Sequence, residues 1–358
     1  MSEIEGPENF MATLLKPLYG DRLRENNFDA LRLIFASMVV LYHIGVLSQA
    51  TSLAWSLRVS AAFAVQAFFV VSGFLVTMSF ENSSSIKSYI SKRLRRIAPA
   101  YIAVIFSAAL GLSAISTLPL GEYFANREFW RYVAFNLVLS NFSAPDLPGV
   151  FQSNYISAVN GSLWTIKIEV AFYCVVPAVV WATRRAGPLK VLATIFIAST
   201  IWKLGFNAAA NATGLDIYEK LAKQLPGQMS FFAGGAWAYY RTRGGKSISG
   251  LVAAAGVIVY ALSDGWFHDL SAPLAVTAVV YWAAVAGPRL PPAAKHGDFS
   301  YGVYLYHFPL IQAFIALGLF QWSPLTGWMA TVTFVVFCAV ISWRFVESPS
   351  LHRSAVHA

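Results

Sequence analysis

The sequence predicts an all-α membrane protein, a polytopic helix bundle of about ten transmembrane helices with both termini in the cytoplasm. Three observations carry this. Composition is the first: 57% of the 358 residues are hydrophobic and 12% are charged, where a soluble domain has about 25% charged residues; mean hydropathy is +0.57. Recurrent apolar runs are the second. They fall at 28–48, 61–80, 99–118, 163–182, 189–209, 227–241, 248–263, 270–287, 299–320 and 326–344, mostly near the roughly 20 residues that cross a hydrocarbon core. The third is the placement of basic residues. With these crossings, 18 of the 26 Lys and Arg lie on one side, counting those at span edges, and five on the other. Basic loops stay cytoplasmic, so both ends are read as inside.

Taken in order, residues 1–27 are polar and mixed in charge, and are expected to form a cytoplasmic tail. The run 28–48 is too long for a signal-peptide core and lacks a small-residue cleavage site, so it is read as a retained anchor. Residues 28–347 are expected to form one transmembrane domain, followed by a cytoplasmic tail at 348–358. An eleventh apolar patch, 129–142, is short and interrupted by Arg131 and Asn136. If it crossed, all later basic residues would change sides and the asymmetry would collapse, so it is read as re-entrant or interfacial. Gly234 and Gly235 in the short run 227–241 predict close helix contact. So does the Ser72-Gly73 step in FFVVSGF, 68–74, since glycine permits close backbone approach. Cys174 and Cys338 lie in apolar runs, where free cysteine behaves as a small hydrophobe; no disulfide is expected. The net charge of +9 is mostly topological bias, so no nucleic-acid partner is expected.

Ionisable groups inside spans mark candidate sites, because each costs about 2.5–3.5 kcal/mol at a helix centre on insertion scales. The first span carries Asp29, Arg32 and His43. Eleven residues turn a helix by about 1100°, within roughly 20° of three full turns, so Arg32 and His43 share one face about 16 Å apart along the axis. Topology places Arg32 near the cytoplasmic surface and His43 roughly 8 Å below the outer one. Glu169, on the inward-running span 163–182, lies at a matching depth. A carboxylate can orient a neutral imidazole and stabilise its protonated form. The competing readings are a core histidine bonded to a backbone carbonyl, and a structural pairing of Glu169 with Lys167 or Lys203. Lys167 is two residues away and off the Glu169 helix face.

A cytoplasmic cluster, SYISKRLRRIAP at 88–99, alternates Tyr89, Ile90, Leu94 and Ile97 with Lys92, Arg93, Arg95 and Arg96. Such a segment can lie along the membrane surface, with Pro99 marking entry to the next helix. It reads either as an anchor on anionic lipid headgroups or as a docking site for a polyphosphate ligand, since Arg matches phosphate bidentately. His307, in SYGVYLYHFP at 300–309, reads as structural or as a second site residue. Pro309 frees the carbonyl four residues back. No metal is expected, because no ligand cluster has suitable spacing.

Together these pieces resemble the bacterial acyltransferase-3 family of integral membrane acyltransferases. The matches run nearly the whole chain in the family's order: Asp29, Arg32 and His43; FFVVSGF at 68–74; KRLRRIAP at 92–99; SLWTIKIEVAFY at 162–173; YGVYLYHFP at 301–309; and FVESP at 345–349. The chain ends soon after the last, so the fused extracytoplasmic esterase-like domain of some members is not expected.

The resemblance implies transfer of an acyl group, acetyl by default, from a cytoplasmic acyl-CoA to a hydroxyl of an extracytoplasmic glycan. That glycan could be a surface polysaccharide, a lipopolysaccharide or an oligosaccharide. Location in the bacterial inner membrane follows, with no permanently bound cofactor. On this reading Arg93, Arg95 and Arg96 bind the donor phosphates and Arg32 holds or polarises the donor. His43 acts as general base with Glu169 orienting it, or takes the acyl group covalently first. Asp29, Ser72, Trp164, Tyr173 and His307 shape the site, Ser72 as a donor to the oxyanion. Intramembrane Arg32, His43 and Glu169 could instead serve a transporter of a small solute or ion. A flippase-like partner without catalysis is a third class.

Overall fold

The computed structural model describes residues 26–352, and among them every regular element is helical. In chain order these are α1 (Phe28–Ser48), α2 (Ala61–Glu81), α3 (Ile86–Gly111), α4 (Leu120–Ala125), α5 (Arg127–Leu137), α6 (Trp164–Ala186), α7 (Pro188–Thr213), α8 (Asp216–Ala222), α9 (Leu225–Arg243), α10 (Gly250–Leu262), α11 (Gly265–Tyr281), α12 (Ser300–Ala316), α13 (Leu319–Trp322), α14 (Pro324–Ser342) and α15 (Ser348–His352). α11 and α14 each continue into one π-helical turn, Trp282–Ala286 and Trp343–Glu347. Most of the tails at 1–27 and 348–358 lies outside the described residues.

Each of the ten apolar runs overlaps a helix, though the run at 99–118 begins well inside α3. Among the described residues, seven helical stretches are long and apolar enough to cross a membrane: those built on α1, α2, α3, α6, α7, α11 and α14. The helices α9, α10 and α12, of 19, 13 and 17 residues, fall short of that standard. The doubtful patch at 129–142 contains α5, whose 11 residues extend about 16 Å. That is about half a hydrocarbon core.

The basic segment corrects one expectation. Residues 88–99 are the opening turns of α3, and Pro99 lies within that helix rather than at its entry. Ser85 caps the helix by accepting from the Ser88 amide at 3.1 Å, so α3 begins well before the proline. The Tyr301 hydroxyl donates to the Ile97 carbonyl, 3.2 Å away, beside Pro99. On this helix Tyr89 and Ile97 are buried, Ile90 and Leu94 are exposed, and Arg93 and Arg96 are half-buried.

The chain divides into two compact units. One comprises residues up to 31, 69–78 and 179–292. Its core joins α2 to α9 through two glycines. A Cβ on Gly73 would lie 2.1 Å from the Phe232 carbonyl oxygen, and one on Gly235 would lie 1.9 Å from that of Val70. Each glycine thus fits the other's helix backbone, as the small residues in both runs predict. Lys203 on α7 pairs with Asp269 on α11 at 3.0 Å, and Asn207 donates to the same carboxylate at 2.6 Å. That disposes of Lys203 as a partner for Glu169.

The other unit comprises 32–68, 79–178 and the chain from 293 onward. Two prolines organise it. Pro309 in α12 leaves the Leu305 carbonyl without its helical donor, and the Asn160 side-chain amide supplies one at 2.9 Å. Pro177 in α6 does the same to the Tyr173 carbonyl, which accepts from the Tyr89 hydroxyl at 3.0 Å. The fully buried Gln312 donates to the carbonyls of Ile156 and Ala158 at 2.5 and 2.9 Å, fastening the loop before α6 to α12. Cys174 and Cys338 are both free.

Candidate active site

Arg32, His43, Arg93, Arg96, Glu169 and His307 all belong to the second unit, where two clusters form. Near the start of α1, Arg32 and Arg96 both donate to one carboxylate oxygen of Asp298. The other oxygen accepts from the Ser300 hydroxyl at 2.5 Å and the Ser300 amide at 3.3 Å, at the first turn of α12. The side chains of Arg32, Arg96 and Asp298 are only 18, 16 and 13% exposed. Burial alone would raise the Asp298 pKa; the Arg32 and Arg96 guanidiniums and the Ser300 hydrogen bonds outweigh it and hold the carboxyl well below the usual carboxylate range. The Asp298 carboxylate therefore stays charged at physiological pH. Arg96 also lies 4.0 Å from the buried Glu347, which accepts from the Ser342 hydroxyl at 2.9 Å, and over the Tyr301 ring at 5.9 Å.

One helical turn earlier on α3, Arg93 lies over the Tyr173 ring, 5.6 Å from its centroid. The Arg93 Nε is buried and, among the described residues, has no hydrogen-bond partner. The Tyr173 hydroxyl donates to Glu169 at 2.6 Å, one turn back on α6. Arg93, Tyr173 and Glu169 thus form a short polar chain from α3 into α6. Arg95, two residues on along α3, is half-buried.

The second cluster holds the imidazoles. His43 Nδ1 lies 2.9 Å from His307 Nε2. The rings are tilted by 23° with centroids 5.1 Å apart, too far for face-to-face stacking, so they meet edge to edge. His307 is fully buried and its Nδ1 lies 2.7 Å from the Tyr304 carbonyl. His43 is half-buried. Phe308 packs its ring edgewise on His43 at 5.2 Å. Gly161 makes room for it: a Cβ there would lie 2.8 Å from the tip of the Phe308 ring. The Tyr304 hydroxyl shares a 2.7 Å hydrogen bond with Thr165 on the first turn of α6.

The expected partnership of His43 with Glu169 is therefore replaced by one with His307. Matched depth fixes height along the membrane normal but not the azimuth of a helix, and α12 rather than α6 presents its group to His43. Lys167 lies over the Phe142 ring at 4.9 Å. Among the site-shaping residues, Asp29 is exposed in the first turn of α1, and Trp164 is half-buried at the start of α6. Ser72 is half-buried on α2 next to the Gly73 contact. Sequence reading did not single out Asp298, and it took Glu347 only as part of FVESP, with no role at the site. Asp298 offered one signal, a lone acid two residues before a helix start in an otherwise basic loop.

Comparison with known proteins agrees with this chemistry. An acyltransferase domain family matches residues 25–344. The chain is 27% identical to an O-acetyl transferase of Shigella phage Sf6, over 93% of this chain and 98% of that protein. It is 28% identical to nodulation protein 10 of Rhizobium leguminosarum bv. viciae, over 91% and 93%. It is 21% identical to the peptidoglycan O-acetyltransferase OatA of Listeria monocytogenes, over 90% of this chain and 55% of that protein. No solved structure matches it. With apolar helices long enough to cross a bilayer and a family match over almost its whole length, the chain belongs to the acyltransferase-3 family and is a multi-pass membrane acyltransferase.

Proposed function

We propose that this protein moves an acyl group, acetyl by default, from a cytoplasmic acyl-CoA to a hydroxyl of an extracytoplasmic glycan, in the bacterial inner membrane. The observation that carries this is the order along α1: a charged cluster at Arg32 and an imidazole at His43 on one helix face, in a family that transfers acyl groups. In the proposed topology of ten crossings with both ends inside, the Arg cluster faces the donor's compartment and the imidazoles lie toward the acceptor's. Arg93 keeps a buried Nε without a hydrogen-bond partner among the described residues and is the proposed contact for the donor's phosphates, which arginine binds well, together with Arg95. Arg96 and Arg32 already share Asp298, so their proposed part is to set the field at the donor entrance. His43 takes the proton from the acceptor hydroxyl as that oxygen attacks the thioester carbonyl, and the coenzyme A thiolate leaves. The relatives' printed names support O-acetylation and offer nothing for a transporter.

The test is His43→Ala in cells carrying the protein, with ester-linked acyl groups on surface glycans measured by mass spectrometry. Loss of those groups, with the protein present at its normal level in the membrane, is expected. Undiminished acylation overturns His43 as the base. Arg93→Gln, assayed in membranes with acetyl-CoA, is expected to raise the donor KM.

A further inference from the structure

We infer that His307 is a positioning residue that fixes the tautomer of His43, leaving the His43 Nε2 lone pair as the site's base. This rests on the reading of His43 as general base. A neutral imidazole carries one N–H and one lone pair, and a carbonyl oxygen only accepts. His307 Nδ1 faces the Tyr304 carbonyl at 2.7 Å, so it must carry that ring's proton. His307 is fully buried, where a second proton would leave a charge in an apolar site; the ring is neutral and its Nε2 presents a lone pair. His43 Nδ1, 2.9 Å from that lone pair, must therefore donate. The His43 proton sits on Nδ1, and Nε2 is bare.

Exposure assigns the two roles. His307 has no accessible surface and cannot meet a substrate, whereas His43 retains some. No hydrogen bond among the described residues reaches His43 Nε2. The relay starts from a fixed point, because the Tyr304 hydroxyl is held by Thr165 and the next carbonyl, that of Leu305, by Asn160. In serine-protease triads a carboxylate holds the imidazole tautomer; here a neutral imidazole does so. As His43 Nε2 takes the acceptor's proton, its Nδ1–H bond to His307 becomes charge-assisted and shortens, which stabilises the imidazolium without a buried carboxylate.

The experiment uses the full-length protein in detergent with 15N-labelled histidine, His43 being assigned by the signal lost in His43→Ala. The wild type is expected to show His43 protonated at Nδ1 and bare at Nε2. His307→Phe keeps an aromatic ring without an acceptor and is expected to move the His43 proton toward Nε2 and to cut ester-linked acylation in cells about 100-fold, the low end for a lost general base. His307→Gln has an oxygen for the His43 N–H and an amide for the Tyr304 carbonyl, and is expected to restore both the tautomer and most of the acylation. A wild-type His43 protonated at Nε2 overturns the inference. So does a folded His307→Phe protein with an unmoved proton, or with full acylation. Equal failure of both variants would mark His307 as a packing residue and would also overturn it. Should the tautomer respond as expected while His43→Ala still acylates, the positioning stands and the base assignment alone falls.

Discussion

Replacing Asp298 with Asn keeps shape and removes one charge from between two guanidiniums. Taking charge centres about 4 Å apart and an effective dielectric of about 20, each Arg–carboxylate attraction is worth about 4 kcal/mol. The two guanidiniums converge on one oxygen, so they repel each other by about 3 kcal/mol at roughly 5.5 Å on the same scale. Desolvating the carboxylate takes back several kcal/mol of the gross attraction. The net loss in Asp298→Asn is then about 3 kcal/mol, the low end for a broken buried pair, which suits side chains 13–18% exposed. The assay is thermal unfolding of the detergent-solubilised protein together with the cycle Arg96→Gln, Asp298→Asn and the double variant. The double variant removes one guanidinium as well as the carboxylate, so it should be more stable than the sum of the single losses implies, by about 1–3 kcal/mol. Strict additivity, or an Asp298→Asn protein as stable as the wild type, would refute the triad as a coupled unit.

Two further perturbations probe packing. Gly235→Ala should cost about 3 kcal/mol, the upper end for overpacking, because the new Cβ meets the Val70 backbone oxygen at 1.9 Å and backbone cannot rotate away; the readout is the unfolding temperature, and an unchanged value would refute the close contact of α2 with α9. Asn160→Leu leaves the Leu305 carbonyl without a donor and should cost about 1–3 kcal/mol, measured in the same way, and it should lower acylation because the adjacent carbonyl, that of Tyr304, anchors His307.

Helix positions were legible in the chain because its punctuation is local. Ser85, Gly214 and the prolines at 188, 226 and 324 set ends that the backbone follows. The glycine contacts were legible as requirements without partners: Gly73 and Gly235 each announced a close approach, and only the fold joins them. The freed carbonyl of Leu305 was legible too, but not that Asn160, 145 residues away, would take it. Azimuth was the quantity sequence could not supply. Matching depth alone sets Glu169 level with His43, yet a helix of known depth can turn any face to its neighbour, and Glu169 is turned to Tyr173. The basic segment failed for a related reason. Its alternation of apolar and basic residues suggested a surface strip, whereas helical spacing puts Tyr89, Arg93 and Arg96 on one face, the face that turns inward.

The two clusters are mechanically one device. Along α1, Arg32 and His43 are separated by about 16 Å of helical rise. Their partners are Asp298 and His307, nine positions apart. From Ser300 to His307 the helix climbs about 10 Å, and the two residues from Asp298 to Ser300 add at most about 7 Å of extended chain. The partner segment therefore spans nearly the same height, and it does so in the same direction, since the lower number pairs with the lower number at both contacts. A helix slip of one residue would turn α1 by 100° and carry both side chains off their partners. Two such contacts fix rotation and translation together, and a hydrogen bond between rings tolerates less displacement than an ion pair does. The imidazole geometry thus depends on the ion triad below it. Weakening the triad should cost acylation without any change at His43, because a misplacement of about 1 Å is enough to lose about 100-fold in rate. Asp298→Asn is the variant that shows it: acylation per folded molecule should fall, and the 15N signature of His43 should broaden or shift toward a mixture of tautomers. A protein that lost stability yet kept the His43 signature and full acylation would show the two contacts to be independent.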